Sequence, residues 1–237
     1  MAASVGSMFG AILVVVTGLL AGPGGSALLR RLPEPVPPDN ADEQSRADYE
    51  TKISYRSLAT PRFAVITGLV AAAAAALVVA TRPAAYWAVW LAFGTVVVLL
   101  AAVDARTTWL PAPLMRLGWI VTAVAVVASL AADRQRASMA ITIGAGILIA
   151  GGGYLLVWCV TRGRSFAFGD VRLMPLVGAV AGTMGWSGLY WSLLLGSIVG
   201  AIIGVVRLAC RRPGPFPYGP ALVSGPYAAA LLLSVLR

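Results

Sequence analysis

The chain has 237 residues, of which 59% are apolar and 11% charged, with a mean hydropathy of +0.85. That balance excludes a soluble globular domain and describes an integral membrane protein. The net charge of +9 does not point to nucleic acid, because the basic residues fall between apolar segments, where they orient a membrane protein and meet anionic lipid.

Eight apolar segments are expected, giving an all-α, polytopic membrane protein with about eight transmembrane helices. The first covers residues 5 to 29. Arg30 and Arg31 follow it and no Lys or Arg precedes it, the reverse of a cleaved secretory signal, so a retained helix with its N-terminus outside is expected. Residues 30 to 61 form a short cytoplasmic loop, opened by Pro33, Pro35, Pro37 and Pro38 and carrying Glu34, Asp39, Asp42, Glu43, Asp48 and Glu50. A segment of this length buries no core of its own. It reads as a solvated linker with an amphipathic helix around 41 to 59, or alternatively as a lid that touches substrate.

Residues 62 to 237 read as a seven-helix membrane domain. Its first helix runs from Phe63 to about Ala80, and Arg82-Pro83 turns the chain. The next runs from Ala84 to about Ala102, with Tyr86, Trp87 and Trp90 at its start as an interfacial aromatic belt. A short helix follows over Leu117 to Ala132, then a glycine-rich one over Ala137 to Val160. The sixth segment begins beside Asp170 and reaches about Thr183. Arg172 and Pro175 interrupt its apolar run early, but Pro175, without an N–H to donate, is tolerated in the first turns of a helix starting near Asp170. Gly178 and Gly182 repeat in this segment at a four-residue spacing. The seventh, Trp186 to Val206, repeats Ser192, Gly196, Gly200 and Gly204 as one small-residue face suited to tight helix contacts. The eighth spans Ala221 to Leu236. Cys159 and Cys210, with no histidine in the chain, do not make up a zinc site, and no metal or other cofactor is expected.

After Glu50 only three acidic residues remain: Asp104, Asp133 and Asp170. A carboxylate at the edge of a hydrocarbon layer is costly enough to need a reason. Asp133 has one in its polar turn with Arg134, Gln135 and Arg136. Asp104, at the C-terminal end of the third segment, is disfavoured by its own helix dipole; a loop pairing with Arg106 or Arg116 is the structural alternative. Asp170 at a helix start has the alternative of an N-cap. Placing the first loop in the cytoplasm puts every basic residue except Arg82, Arg134, Arg136 and Arg237 on that side. Both aspartates then share that edge. Paired carboxyls that share a proton suit metal-free peptide hydrolysis: one takes a proton from water while the other polarises the scissile carbonyl. Gly169, just before Asp170, suits close approach of a substrate backbone or a bend into the helix. A membrane transporter is the competing class, although neither repeat symmetry nor a midplane acid is evident.

Three stretches carry a family resemblance. Asp104 is followed after six residues by Pro111; Ala167-Phe168-Gly169-Asp170-Val171-Arg172-Leu173 holds the second aspartate; and Pro217-Tyr218-Gly219-Pro220-Ala221 comes late. In this order they resemble the prepilin peptidases, or type IV leader peptidases, membrane aspartyl proteases of the Gly-x-Gly-Asp kind. The resemblance implies Asp104 and Asp170 as catalytic residues, with Pro111, Gly169, Arg172, Pro217, Gly219 and Pro220 shaping the site or binding substrate, inside a core at 84 to 237. It implies an inner-membrane enzyme of a prokaryote that cuts the short basic leader from a prepilin or pseudopilin at the cytoplasmic face, the acids of residues 34 to 50 being the candidate contacts for that leader. Ala167 stands where the family has its first glycine, Arg172 where lysine is usual, and Ala112 where an acidic or amide residue is common. Larger relatives bind zinc through Cys-x-x-Cys pairs in the first loop, a region associated with N-methylation; residues 30 to 61 contain no cysteine, so neither that zinc site nor methyltransferase activity is expected. A related protease class that cuts signal peptides or other membrane helices fits the spacing less well, and a catalytically dead pilus-assembly scaffold is a further alternative. Oligomeric state is not legible.

Overall fold

The computed structural model describes residues 2–36, 43, 49–164, 167–211 and 216–236. Pro37, Pro38, Asp39, Asp42, Arg46 and Asp48 lie outside the described residues, with much of the helix expected over 41 to 59, as do Phe166, Arg212 and Arg237.

Helices account for nearly all of the described chain. They are α1, whose apolar run is Met8–Leu29, α2 (Pro61–Thr81), α3 (Ala84–Thr107), α4 (Ala112–Ala132), α5 (Arg136–Val160), α6 (Phe168–Gly182), α7 (Gly185–Ala209) and α8 (Gly219–Val235). Among the described residues six, α1 to α5 and α7, are long and apolar enough to cross a membrane, rather than the eight expected. The difference lies in α6 and α8, with 15 and 17 residues. At 1.5 Å per residue these extend roughly 22 and 26 Å, short of the ~30 Å of a hydrocarbon core.

Local chemistry sets the boundaries. Thr60 caps α2, its hydroxyl accepting the Phe63 N–H at 3.2 Å, with Pro61 in the first turn. Likewise Pro111 and Pro113 start α4 at Ala112, five residues before the expected Leu117. Pro175 is accommodated in α6 as expected: the helix is continuous, and the ring sits against Gly151 of α5, beside a π-helical turn at Leu148–Gly152. Replacing the Gly151 hydrogen by a methyl would bring carbon within 2.7 Å of the Pro175 ring.

Two seams use the small residues singled out above. Gly178 and Gly182 of α6 lie against Gly146 and the Thr142–Ile143 backbone of α5, and Ser192 and Gly196 of α7 face Gly225 of α8. Gly204, by contrast, faces open space, as do Gly144, Gly152 and Gly153, so the small face on α7 works over only part of its length. The most enclosed helices are α3 and α6, where Phe93, Leu100, Val103, Leu173 and Val177 have almost no exposure.

Trp90 departs from the expected aromatic belt. It is 1% exposed, and its indole N–H donates to Thr183 Oγ1 at 2.9 Å, because a buried indole requires a partner. Tyr86 donates its hydroxyl to Asp133 Oδ2 at 2.8 Å while Asp133 Oδ1 accepts the Gln135 N–H at 3.0 Å. Those bonds, the Gln135 N–H first, hold the Asp133 carboxyl below the ordinary carboxylate range.

Candidate functional site

Four separate parts of the chain meet at one end of the bundle: the last turn of α3, the first turn of α6, the start of α8 and the end of the linker. Asp104 and Asp170 are both buried, 4% and 6% exposed. They line one cavity of about 480 Å³ together with Gly169, Arg172, Trp109 and Tyr49, and they lie within electrostatic range of each other.

The bonded partner of Asp104 is neither Arg106 nor Arg116. Its Oδ2 accepts the Gly219 N–H at 2.9 Å. Gly219 is the first residue of α8, so the carboxyl lies on the N-terminal end of a second helix, where a negative group gains about 0.3 to 1 kcal/mol. This contact offsets the unfavourable C-terminal end of its own helix. A Cβ at position 219 would lie 2.8 Å from Asp104 Oδ2, so glycine is what lets carboxyl and helix end meet.

Asp170 is not the N-cap of α6. Ala167 holds that position with extended backbone, φ −66° and ψ 147°, and Asp170 sits three residues on. Its carboxyl interacts with the Ala167 N–H, the return half of a capping box. The preceding residue, Gly169, packs against Leu110, whose Cδ1 would lie 3.0 Å from a Cβ there. Close approach between the α3–α4 connection and α6 thus accounts for this glycine.

The connection itself is tightly turned. Thr108 closes α3 in the left-handed region, φ 56°, its N–H donating to the Asp104 carbonyl at 2.7 Å. For a β-branched residue that conformation is a genuine outlier. The Thr107 hydroxyl holds the bend, donating to the Val103 carbonyl at 2.9 Å and accepting the Trp109 N–H at 3.2 Å. Trp109 is thereby aimed into the cavity.

Of the sequence-derived site residues, the fold brings together Asp104, Gly169, Asp170 and Arg172 around the cavity and adds Gly219 through its bond to Asp104. Arg172 places its guanidinium 4.6 Å from the centre of the Phe168 ring. Pro111 is buried as the N-cap of α4, Pro217 lies in the non-helical lead into α8, and Pro220 faces a different groove. Those three do not line the aspartate cavity. Tyr218 shares a hydrogen bond with Tyr154 of α5, which also bonds Ser197 and lies near Asp170.

Sequence reasoning missed Tyr49, Lys52 and Trp109. Trp109 stands between Asp104 and Pro111, and its place inside that spacing was the available signal. For the other two there was none. The Tyr49 ring meets Trp109 edge-on at 4.5 Å, and the Lys52 ammonium lies 3.6 Å from the Tyr55 ring centre and 5.0 Å from that of Trp109. Through Tyr49 the linker end therefore forms part of the cavity wall. Glu34, one of the candidate leader contacts, also holds the fold: its carboxylate accepts the N–H groups of Tyr55 and Arg56 at 3.1 and 3.2 Å, starting the single helical turn Tyr55–Leu58.

Lys52 is the chain's one lysine. Burial pushes its ammonium down to about 8, opposed by the Glu34 charge and by the two ring faces. A basic group depressed in the folded state weakens docking at and below its folded value, and this penalty disappears as pH rises through the unfolded value. The linker end is therefore expected to dock more firmly between about pH 8 and 10.5. An NMR titration of the ¹³C-methylated Lys52 side chain should inflect near 8; an inflection near 10.5, the solvated value, would show an undocked lysine.

Among the described residues, no group of three or more His, Cys, Asp or Glu is placed to hold a metal ion. The linker, without cysteine, does not fit the zinc site of the larger leader peptidases.

No family model and no solved structure matches the chain. Curated proteins do. The prepilin leader peptidase/N-methyltransferase of Pseudomonas aeruginosa is 36% identical over 89 residues, 33% of this chain and 30% of that protein. That of Aeromonas salmonicida is 32% identical over 101 residues, 38% of this chain and 34% of its own length, and that of Pseudomonas putida 37% identical over 84 residues, 32% and 27%. The matched region thus spans about a third of the curated relatives' length. Over that region, the similarity supports a relationship to the prepilin leader peptidase/N-methyltransferases at family level.

Proposed function

We propose that the cavity between Asp104 and Asp170 is the active site of an aspartic endopeptidase that removes the short basic leader of a prepilin or pseudopilin. The observation that carries this reading is the burial of two carboxyls, from α3 and α6, on one cavity at one end of a membrane bundle. One carboxylate takes a proton from water, the hydroxide oxygen bonds the scissile carbonyl carbon, and the protonated partner gives its proton to the carbonyl oxygen. Collapse of the resulting diol breaks the C–N bond as the leaving nitrogen gains a proton. The two groups titrate as a unit, so the base is a property of the pair.

In this reading α6 and α8 are short spans that bring the total to eight, with the N-terminus outside and the cavity at the cytoplasmic face, as the charge bias favours. The setting is then a prokaryotic inner membrane. The protease core is 84 to 237, and the linker end closes over the cavity. Arg172 is the cavity's basic group and contacts the substrate backbone rather than a basic leader side chain. Methyl transfer is not part of the proposal, since residues 30 to 61 lack cysteine.

A second reading, a non-catalytic scaffold for pilus assembly, draws on one observation: the Gly219 bond alone gives Asp104 a structural purpose. Membranes containing the chain, incubated with a panel of prepilins and pseudopilins, separate the two. Loss of mass equal to a leader, with cleavage before the apolar helix, is expected. If every precursor keeps its full mass while the chain is present and folded, the peptidase reading fails.

A further inference from the structure

Away from the aspartates, an apolar groove of about 510 Å³ runs between α2, α3 and α8, walled by Val70, Ala74, Leu77, Val98 and Ala101. A second cavity of about 480 Å³ continues it toward the end of the bundle that holds Asp104. The two share Ile66, Thr67, Ala102 and Ala105, so they form one channel. Its interior is almost wholly hydrocarbon. The mouth is not: Arg62, from the first turn of α2, and Arg106, from the last turn of α3, both line it, with Ser57 and Thr60 beside them.

We propose that this channel is a binding site for one anionic phospholipid, with an acyl chain in the groove and the phosphodiester between Arg62 and Arg106. Depth favours a lipid over a protein helix. From Ile66 to Leu77 the groove descends about 16 Å at 1.5 Å per residue, half of a ~30 Å hydrocarbon core and so the reach of one leaflet's acyl chain. A transmembrane helix would need the full depth. Charge favours an anion: two guanidinium groups at one mouth match a phosphate in fork geometry and repel a basic peptide. Neither arginine is needed for the aspartate cavity, whose lining does not include them.

Native mass spectrometry of the full chain from micelles, with palmitoyl-oleoyl phosphatidylglycerol or the matching phosphatidylcholine added, tests the site. The wild-type chain should hold phosphatidylglycerol about thirtyfold more tightly, from two basic groups near the headgroup. The double variant Arg62→Gln/Arg106→Gln should bring that ratio close to one. Ala74→Phe fills the groove while keeping both arginines, and should weaken phosphatidylglycerol binding on its own; it decides the matter if the double variant does not fold. Equal binding of the two lipids by wild type overturns the proposal, as does an unchanged preference in the double variant. Undiminished binding in Ala74→Phe does so too, as would displacement of the lipid by an apolar helical peptide.

Discussion

Asp104→Asn and Asp170→Asn are each expected to lower leader cleavage by about 10²- to 10⁴-fold, the usual worth of a positioned general acid or base. The double variant should be little worse than either single one, because the carboxyls act as a unit. Asparagine is the informative replacement at 104. Its side-chain oxygen still accepts the Gly219 N–H, so the 2.9 Å bond that joins α3 to α8 survives while the proton chemistry does not. Alanine removes both, and leaves a buried N–H without a partner at a cost of about 1 to 3 kcal/mol. If Asp104→Asn cuts leaders at the wild-type rate, anchoring α8 is all that Asp104 does, and the paired-carboxyl mechanism is wrong. A variant that is folded and inactive in the Asn form, against one that is unfolded in the Ala form, separates chemistry from architecture at the same position.

Gly178→Val is expected to destabilise the bundle by about 3 kcal/mol, the upper range of overpacking. A Cβ at 178 would overlap the Gly146 backbone and sit 2.9 Å from the Ala150 methyl. Backbone cannot rotate away as a flexible side chain can, so α5 and α6 must separate. Denaturant titration in mixed micelles reads this as an earlier midpoint. Gly204→Val on α7 provides the contrast, since nothing lies within 4 Å of a Cβ there. A midpoint for Gly178→Val equal to that of the wild-type chain would show that the two helices do not pack as described.

Hydropathy made the helices legible because most of them span a long apolar run, and the glycine spacing located the α5–α6 and α7–α8 seams. Of the eight expected helices, six among the described residues are long and apolar enough to cross, while α6 and α8 fall short in length although their ends lie within two residues of where the apolar runs stop. Hydropathy also placed Trp90 in an interfacial belt. The deciding partner, Thr183, is supplied by the fold and has no mark in local sequence. At the site, the two aspartates stood out by their rarity. Gly219 as the partner of Asp104, and Tyr49 as cavity wall, did not, because these contacts cross long stretches of chain.

The bond between Asp104 and Gly219 joins residues 115 positions apart. At about 5 to 20 residues per second of synthesis, the ribosome takes roughly 6 to 23 s to reach the second after making the first. During that interval the aspartate of α3 lacks the helix end that anchors it. Assembly of the site is thus tied to the arrival of α8, so a chain still being made carries both carboxyls without the completed geometry. Timing, as well as sequence, then sets when the geometry around Asp104 is complete.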